Sequence, residues 1–382
     1  MKFPLYLFAV IAVVAATGCK KKGCTDPTAL NYSESAKKDD GSCSYSTTYA
    51  VPTTYNFTNS AGNSTVDFSG QSTRLEQLRQ LIAYAESGES AVISAQSLKD
   101  MFQNTGGNGG GLFTGAAISS SKQLKDKCFA LDVALIESYL DSSVAASINY
   151  ANPASNGQSG TLTSGASTYL FSANGFDCAE LIEKGIMGAV LEYQALNVYF
   201  GDSKMNVDNS VAVDPVNGQY YTAMQHHWDE AFGYFGVPID FPTTPSDEFW
   251  GEYCMKQNVT LSSNAVMMDN FLKGRAAIVN SNMTDRNTAI LNIREMWENI
   301  AAYQAMSYIN SAIGYFGNDQ AKYLHNLTEA YAFIYTLRYA PIETRNMTTT
   351  EVDSLIASFG GNLWTLTVQD LNTIKATLDA KY

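Results

Sequence analysis

Histidine is nearly absent from this chain, with three among 382 residues, so any chemistry that needs an imidazole rests on His226, His227 and His325. Charge is also sparse, at 16% of residues, and lopsided: 24 Lys and Arg stand against 37 Asp and Glu, a net charge of −13. Nucleic-acid binding wants a basic footprint, and this composition excludes it. Apolar residues make up 45%, and with so little charge the chain reads as globular rather than disordered. No run after residue 19 is long and apolar enough to span a bilayer. Cys128, Cys178 and Cys254 have no histidine close in sequence, so nothing supports a nucleophilic thiol; an odd number cannot all pair, and Cys128 and Cys178 read as small hydrophobes in helices. The HExxH arrangement of zinc proteases is missing. The glycine-rich stretch NTGGNGGGLFTG lacks the Lys-Ser/Thr pair and the preceding strand of a phosphate loop.

What is present begins at the N-terminus. Residues 1–18 carry one early charge, Lys2, and an apolar run from Phe3 to Ala16, which is a signal peptide rather than a spanning helix. Ala16-Thr17-Gly18-Cys19 resembles a bacterial lipobox, which implies that the Cys19 thiol is acylated and becomes the new N-terminus. Lys20, Lys21 and Lys22 suit a place beside anionic headgroups. The expectation is an outer-membrane lipoprotein, facing the periplasm or the cell surface, whose first partner is the bilayer itself. Residues 24–43, CTDPTALNYSESAKKDDGSC, resemble a short repeat of Gram-negative surface proteins of the form CTDPxAxNYxxxAxxDDGSC. That resemblance, in an exported and therefore oxidising setting, implies a Cys24–Cys43 disulfide. Asp26, Asn31, Asp39 and Asp40 are hard oxygen ligands for calcium, while Asp39-Asp40-Gly41 reads equally as a plain turn. Residues 19–45 thus form a small spacer, too short to bury much, followed by an extended lead-in over 46–70.

The main part, 71–382, contains a helical segment twice. HHWDEAFGYF runs from His226 to Phe235 and HNLTEAYAFI from His325 to Ile334, so His226 aligns with His325 and Glu230 with Glu329. Upstream, YQALNVYF at Tyr193 matches YQAMSYIN at Tyr303. The two offsets, 303 − 193 = 110 and 325 − 226 = 99, differ only by loop length. Each unit is a long helix, a turn and a second helix, spanning about 178–236 and 286–340, and two such hairpins pack about a pseudo-two-fold axis.

Around them the pattern predicts helices from Ser72, near Ser94, over 120–148, over 264–280, and near 349–359 and 367–381. A short β-hairpin is expected around STYLF, Asp177 and Glu180 have capping-box spacing, and Pro238, Pro242 and Pro245 forbid helix between the repeats. Gly185 and Gly188 suggest close helix packing, and Trp228 and Trp250 read as core. Arg275 and Glu298, charged amid apolar neighbours, are candidates to pair with each other.

On a helix, i and i+4 share a face, so His226 lines up with Glu230 and His325 with Glu329, while His227 reaches Glu230 at i+3. If the two hairpins meet at an axis, two imidazoles and two carboxylates face one another as ligands for iron or zinc. The bland alternative is a satisfied polar contact, with Tyr193, Tyr303 and Tyr331 bonding the imidazoles.

YNFTNSAGNSTVDFSGQSTRL, NGFDCAELIEKGIMGA, HHWDEAFGYFGVP, KGRAAI and GGNLWTLTVQDLN together resemble Gram-negative lipoproteins grouped as domain of unknown function 4856. That group is similar to the imelysins, which implies an all-α fold of two pseudo-symmetric helical-bundle halves, a link to iron uptake with envelope partners, and in some members metallopeptidase activity. The imelysin signature is GxHxxE; His227 and Glu230 match it, and Gln225 stands in place of the glycine. The expectation is therefore a cell-envelope ligand- or metal-binding protein using His226, His227, Glu230, His325 and Glu329. The alternatives are a peptidase with Glu230 as general base, and a surface interaction protein with no small-molecule site.

Overall fold

The computed structural model describes residues 21–27, 29, 31–43, 49–117 and 120–382. The signal segment and Cys19 lie outside the described residues. The chain divides into two compact units, 1–48 and 49–382.

In the first unit, Cys24 and Cys43 form a disulfide. Asp39 Oδ1 accepts from the Gly41 amide at 3.2 Å and Asp40 Oδ1 from the Ser42 amide at 3.0 Å, so both carboxylates brace the turn that leads back to Cys43.

The second unit is helical, and the described residues are 58% helix and 7% strand. α1 (Ser69–Glu86) and α2 (Ala95–Phe102, starting where a helix is expected, with Ser94 as its N-cap) precede α3 (Val133–Ser147). The helix expected over 120–148 is shorter than its apolar pattern suggested: Lys125–Lys127 forms a single 3-10 turn and Asp132 sits at the start of α3. The carboxylate of Asp132 is held by the hydroxyls of Tyr335 and Tyr339, at 3.1 and 2.6 Å. β1 (Gly160–Ser164) and β2 (Ser167–Phe171) form the antiparallel hairpin expected around STYLF.

α4 (Cys178–Ile186) opens the stretch expected as the first repeat and does not end where its α winding ends. It continues in π winding through Met187–Glu192 and Gln194–Tyr199. Donors from outside the helix bond three of its carbonyls. Trp250 Nε1 donates to Met187 O at 3.1 Å, the Phe129 amide to Ala189 O at 2.8 Å, and Arg294 Nη2 to Leu196 O at 2.9 Å. Gly188 lets this helix lie close to its neighbours: a Cβ there would sit 2.7 Å from Thr336 Cγ2 and 2.8 Å from the Tyr339 ring.

After the short α5 (Asp202–Met205), a second hairpin, β3 (Ala212–Asp214) and β4 (Gln219–Thr222), leads into α6 (Ala223–Phe235), which carries His226 and His227. α7 (Phe249–Leu261) and α8 (Ser263–Val279) follow the proline-rich break. α9 (Met283–Tyr315) and α10 (Gln320–Thr336) form a helical hairpin over the stretch expected as the second repeat, and α11 (Thr349–Ala357) and α12 (Val368–Asp379) close the unit. α9 runs along α8 and α10, α10 also lies on α4, and α6 packs against α1, α8 and the π-wound stretch.

Trp228, Trp250 and Trp297 are fully buried; Phe235 and Trp250 meet Trp297 at ring separations of 5.0 and 5.5 Å. The expected Arg275–Glu298 pair is not formed. Arg275 Nε instead donates to Asp229 Oδ1 at 2.8 Å, and Glu298 Oε1 accepts from the Tyr382 hydroxyl at 2.7 Å and the Asn346 amide at 2.8 Å. Both residues lie on helices whose apolar surroundings are visible in sequence, but their partners come from distant segments that no local pattern identifies.

Candidate functional site

The histidines and glutamates expected to share one site fall into two clusters with no partner in common. In each, a histidine on a repeat helix leans on an aspartate that opens another helix and on a glutamate one turn further along its own helix.

The first cluster is built on α6. His226 Nδ1 lies 3.0 Å from Asp67 O, and because a carbonyl only accepts, the imidazole carries its hydrogen on Nδ1. Its ring stacks on Tyr221 of β4, with centroids 4.5 Å apart and planes 13° from parallel. His226 Nε2 is 3.9 Å from Glu230 Oε1. His227 Nδ1 is 3.1 Å from Glu230 Oε2, Gln71 Nε2 donates to Glu230 Oε1 at 3.3 Å, and the Tyr199 hydroxyl bonds Glu230 as well. Burial pushes the Glu230 carboxyl up, but the His227 bond and the nearby His226 outweigh it and hold the group below its ordinary range. The Asp67 carboxylate is used locally, accepting from the Ser69 amide at 3.0 Å and the Tyr221 hydroxyl at 3.3 Å. Gln225 is explained by the helix start: its side chain accepts from the Thr222 amide at 3.1 Å while Thr222 Oγ1 accepts from the Gln225 amide, a capping box that a glycine cannot complete.

The second cluster lies where α10 crosses the start of α4. Asp177 is the N-cap of α4, with Oδ1 accepting from the Ala179 amide at 3.2 Å, and its Oδ2 is 3.0 Å from His325 Nδ1. Thr328 of α10 locks the crossing by accepting from the Asp177 amide at 2.9 Å. Glu180 Oε1 is 3.9 Å from His325 Nδ1, and Glu329 Oε1 is 3.3 Å from His325 Nε2. The His325 ring leans on Tyr169 of β2, with centroids 4.7 Å apart. Asp177, Glu180 and His325 each offer a ligand atom within 4.8 Å of the others, and among the described residues this is the group of three His, Cys, Asp or Glu side chains placed to hold a metal ion. Glu329 is buried beside it; the Tyr308 hydroxyl faces this carboxylate, yet Oε2 has no hydrogen-bond partner of ordinary geometry among the described residues.

Charge is unbalanced here. Asp177, Glu180, Glu183 and Glu329 gather around one buried ammonium, Lys184, which lies 2.8 Å from both Glu180 and Glu183. Burial alone would lower the His325 pKa, but the bond to Asp177 and the charges of Glu180, Asp177 and Glu329 raise it to about 9. Burial, then the Glu180 charge, pushes Glu329 up to about 8. Burial also raises Asp177, whereas Lys184 and His325 overcome it at Glu180 and hold that carboxyl low. Glu89, in the 3-10 turn after α1, is pushed up to about 7 by its burial and by Asp177 and Glu86.

Asp177 and Glu180 were legible only as a cap, because capping and ligation ask for the same residue types. Lys184 was legible only beside the small residues of its helix. Tyr193, Tyr303 and Tyr331 do not supply the ring contacts to the histidines; Tyr199, Tyr221 and Tyr169 do. No curated protein and no solved structure matches the chain. The model of the Domain of unknown function (DUF4856) matches residues 52–382, and the chain belongs to that family.

Proposed function

We propose that this is an acylated cell-envelope lipoprotein whose helical domain binds one divalent transition-metal ion at Asp177, Glu180 and His325, with Glu329 as a fourth donor. The observation that carries the reading is the convergence of three ligand atoms within 4.8 Å in a half-buried, charge-unbalanced cluster. Two carboxylates and an imidazole suit zinc or ferrous iron. The protein's part is to hold the set open: Asp177 is fixed by the helix it caps, and Tyr169 and Thr328 position α10. His325 must give up a proton to ligate, so binding strengthens as pH rises.

The α6 cluster reads as the duplicated counterpart, supporting an imelysin-like arrangement of two pseudo-symmetric halves. Asp67 and Asp177 each bond the amide two residues on, Tyr221 and Tyr169 each come from a β-hairpin, and Tyr199 and Tyr308 each face the i+4 glutamate. The copies differ in one respect that matters for metal: Asp67 offers His226 a carbonyl, whereas Asp177 offers His325 a carboxylate. The N-terminal unit, in this reading, is the surface-protein repeat acting as a spacer above the acylated Cys19.

A second reading, a peptidase with Glu230 as general base, has one observation in its favour. With both Nδ1 atoms donating, His226 and His227 leave their Nε2 lone pairs open. Hydrolysis of a generic peptide library tests it.

The test of the leading proposal is elemental analysis of the full chain, purified in detergent without a histidine tag and exposed to Zn²⁺ or Fe²⁺. About one equivalent is expected (the proposal is for one site), lost in Asp177→Asn and His325→Ala and retained in His226→Ala/His227→Ala. No retained metal, or loss only in the α6 double variant, overturns it.

A further inference from the structure

A cleft of about 410 Å³ lies among α3, the segment following β2, and the neighbouring faces of α4 and α10. Its lining contains no Asp, Glu, Lys, Arg or His. An ionic ligand would find no countercharge there. The walls instead carry four serines, an asparagine and two tyrosines, interleaved with Phe176, Leu181 and alanines.

The hydroxyls are divided between donors and acceptors. Ser138 Oγ spends its hydrogen on Leu135 O at 2.6 Å, which leaves its lone pairs for a ligand. Ser159 Oγ accepts from Asn149 Nδ2 at 2.9 Å, and Ser172 Oγ accepts from the Phe176 amide at 3.2 Å, which leaves a hydrogen on each. The Tyr139 and Tyr331 hydroxyls bond each other, so the hydrogen of the accepting partner is also uncommitted. Phe176 and Tyr331 meet edge to face, with centroids 5.0 Å apart and planes 72° from parallel, and give the cleft an aromatic corner. An anion needs donors backed by positive charge, and a cation needs acceptors backed by negative charge. A mixed set on a neutral, aromatic-walled surface matches a ligand whose groups both donate and accept and whose carbon skeleton has an apolar face.

We infer that this cleft binds a neutral saccharide. The inference does not rest on the metal reading, because Asp177, Glu180, His325 and Glu329 are not among its lining residues.

The test is saturation-transfer NMR on the full chain in a sugar-free zwitterionic detergent. The probes are maltose, cellobiose, lactose and N,N′-diacetylchitobiose, with digalacturonic acid as the anionic comparison. At least one neutral disaccharide is expected to bind. Ala145→Trp places an indole in the cleft from an exposed position of α3 and should abolish the signal. Tyr331→Phe removes one hydroxyl and should weaken binding about fivefold, the effect of one neutral hydrogen bond. Unchanged far-UV circular dichroism in both variants ties the losses to the cleft. Absence of binding by every neutral probe at 10 mM, a preference for the anionic sugar, or a signal that survives Ala145→Trp overturns the inference.

Discussion

Asp229 sits between the two polar residues of α6, His227 and Glu230, yet points the other way, into the interior, and its removal gives the sharpest test of how the lead-in is held. Its Oδ1 accepts from the Tyr55 hydroxyl and from Arg275 Nε, each at 2.8 Å, and its Oδ2 accepts from the Asp67 amide at 3.2 Å. Asp229 and Arg275 are both 0% exposed, so no solvent screens the pair. Asp229→Ala leaves a guanidinium, a phenol and an amide buried without their acceptor. Breaking a buried pair from one side costs about 3–5 kcal/mol, mostly the penalty of the abandoned charge. For a domain of this size that is a fall in melting temperature on the order of 5–10 °C. Replacing both partners, as in Asp229→Leu/Arg275→Met, removes the abandoned charge, and the double variant should recover most of the loss. Urea unfolding of wild type, both single variants and the double variant gives the coupling energy directly. Because Asp229 also holds the Asp67 amide, and Asp67 O holds His226, the His226 imidazole NMR signals should broaden or shift in Asp229→Ala. A single variant within about 1 kcal/mol of wild type, or a double variant less stable than the single, would refute the reasoning.

Two further tests probe the core. Gly274 lies where α8 meets Trp228, and a Cβ there would fall 2.0 Å from Trp228 Cη2 and 3.0 Å from Ala289 Cβ, so Gly274→Ala should cost at least about 1–3 kcal/mol in denaturant unfolding. Glu192 is fully buried; the Thr336 hydroxyl faces its carboxyl, but among the described residues neither oxygen has a hydrogen-bond partner of ordinary geometry, and burial followed by the charge of Glu298 raises its pKa well above 4.5. A carboxyl with a raised folded pKa contributes full stability below its unfolded pKa and loses it as pH climbs. The Glu192 contribution should therefore fade as pH rises above about 4.5, so Glu192→Gln should gain stability relative to wild type as pH climbs and be the more stable protein at pH 8; an identical pH profile for the two counts against a buried acid.

Local chemistry was readable where it depends on neighbours in sequence. Ser94 caps α2, the prolines after α6 break the helix, STYLF forms a strand of a hairpin, and the tryptophans at 228 and 250 are buried. The repeat identified His226, His325 and their glutamates as a recurring unit. What periodicity could not supply was the third dimension of that unit. His325 meets Asp177 across 148 positions of chain, and Arg275 meets Thr65 across 210, and no spacing rule links such residues. The π winding from Met187 to Tyr199 was equally hidden, because the outside donors that make it favourable come from α7, α9 and the segment before α3. Arg275 shows the cost of reading charge by neighbourhood: two ionic groups in apolar settings looked like partners, and each is satisfied elsewhere.

That same π-wound helix bears on how the domain comes apart. Its carbonyls are shared outward with Trp250 of α7, Arg294 of α9 and the Phe129 amide, so it behaves as a hub with three spokes rather than as one strut among many. Peeling α7 away leaves the buried Trp250 indole without its acceptor at Met187, and losing α9 or the Phe129 segment breaks the corresponding bond at Leu196 or Ala189. Partial openings that spare some of these elements are therefore penalised at each broken bond. Hydrogen exchange in α7, in the middle of α9 and around Phe129 should proceed at one common opening free energy, that of the whole domain, while α2, α11 and α12 exchange through smaller, separate fluctuations.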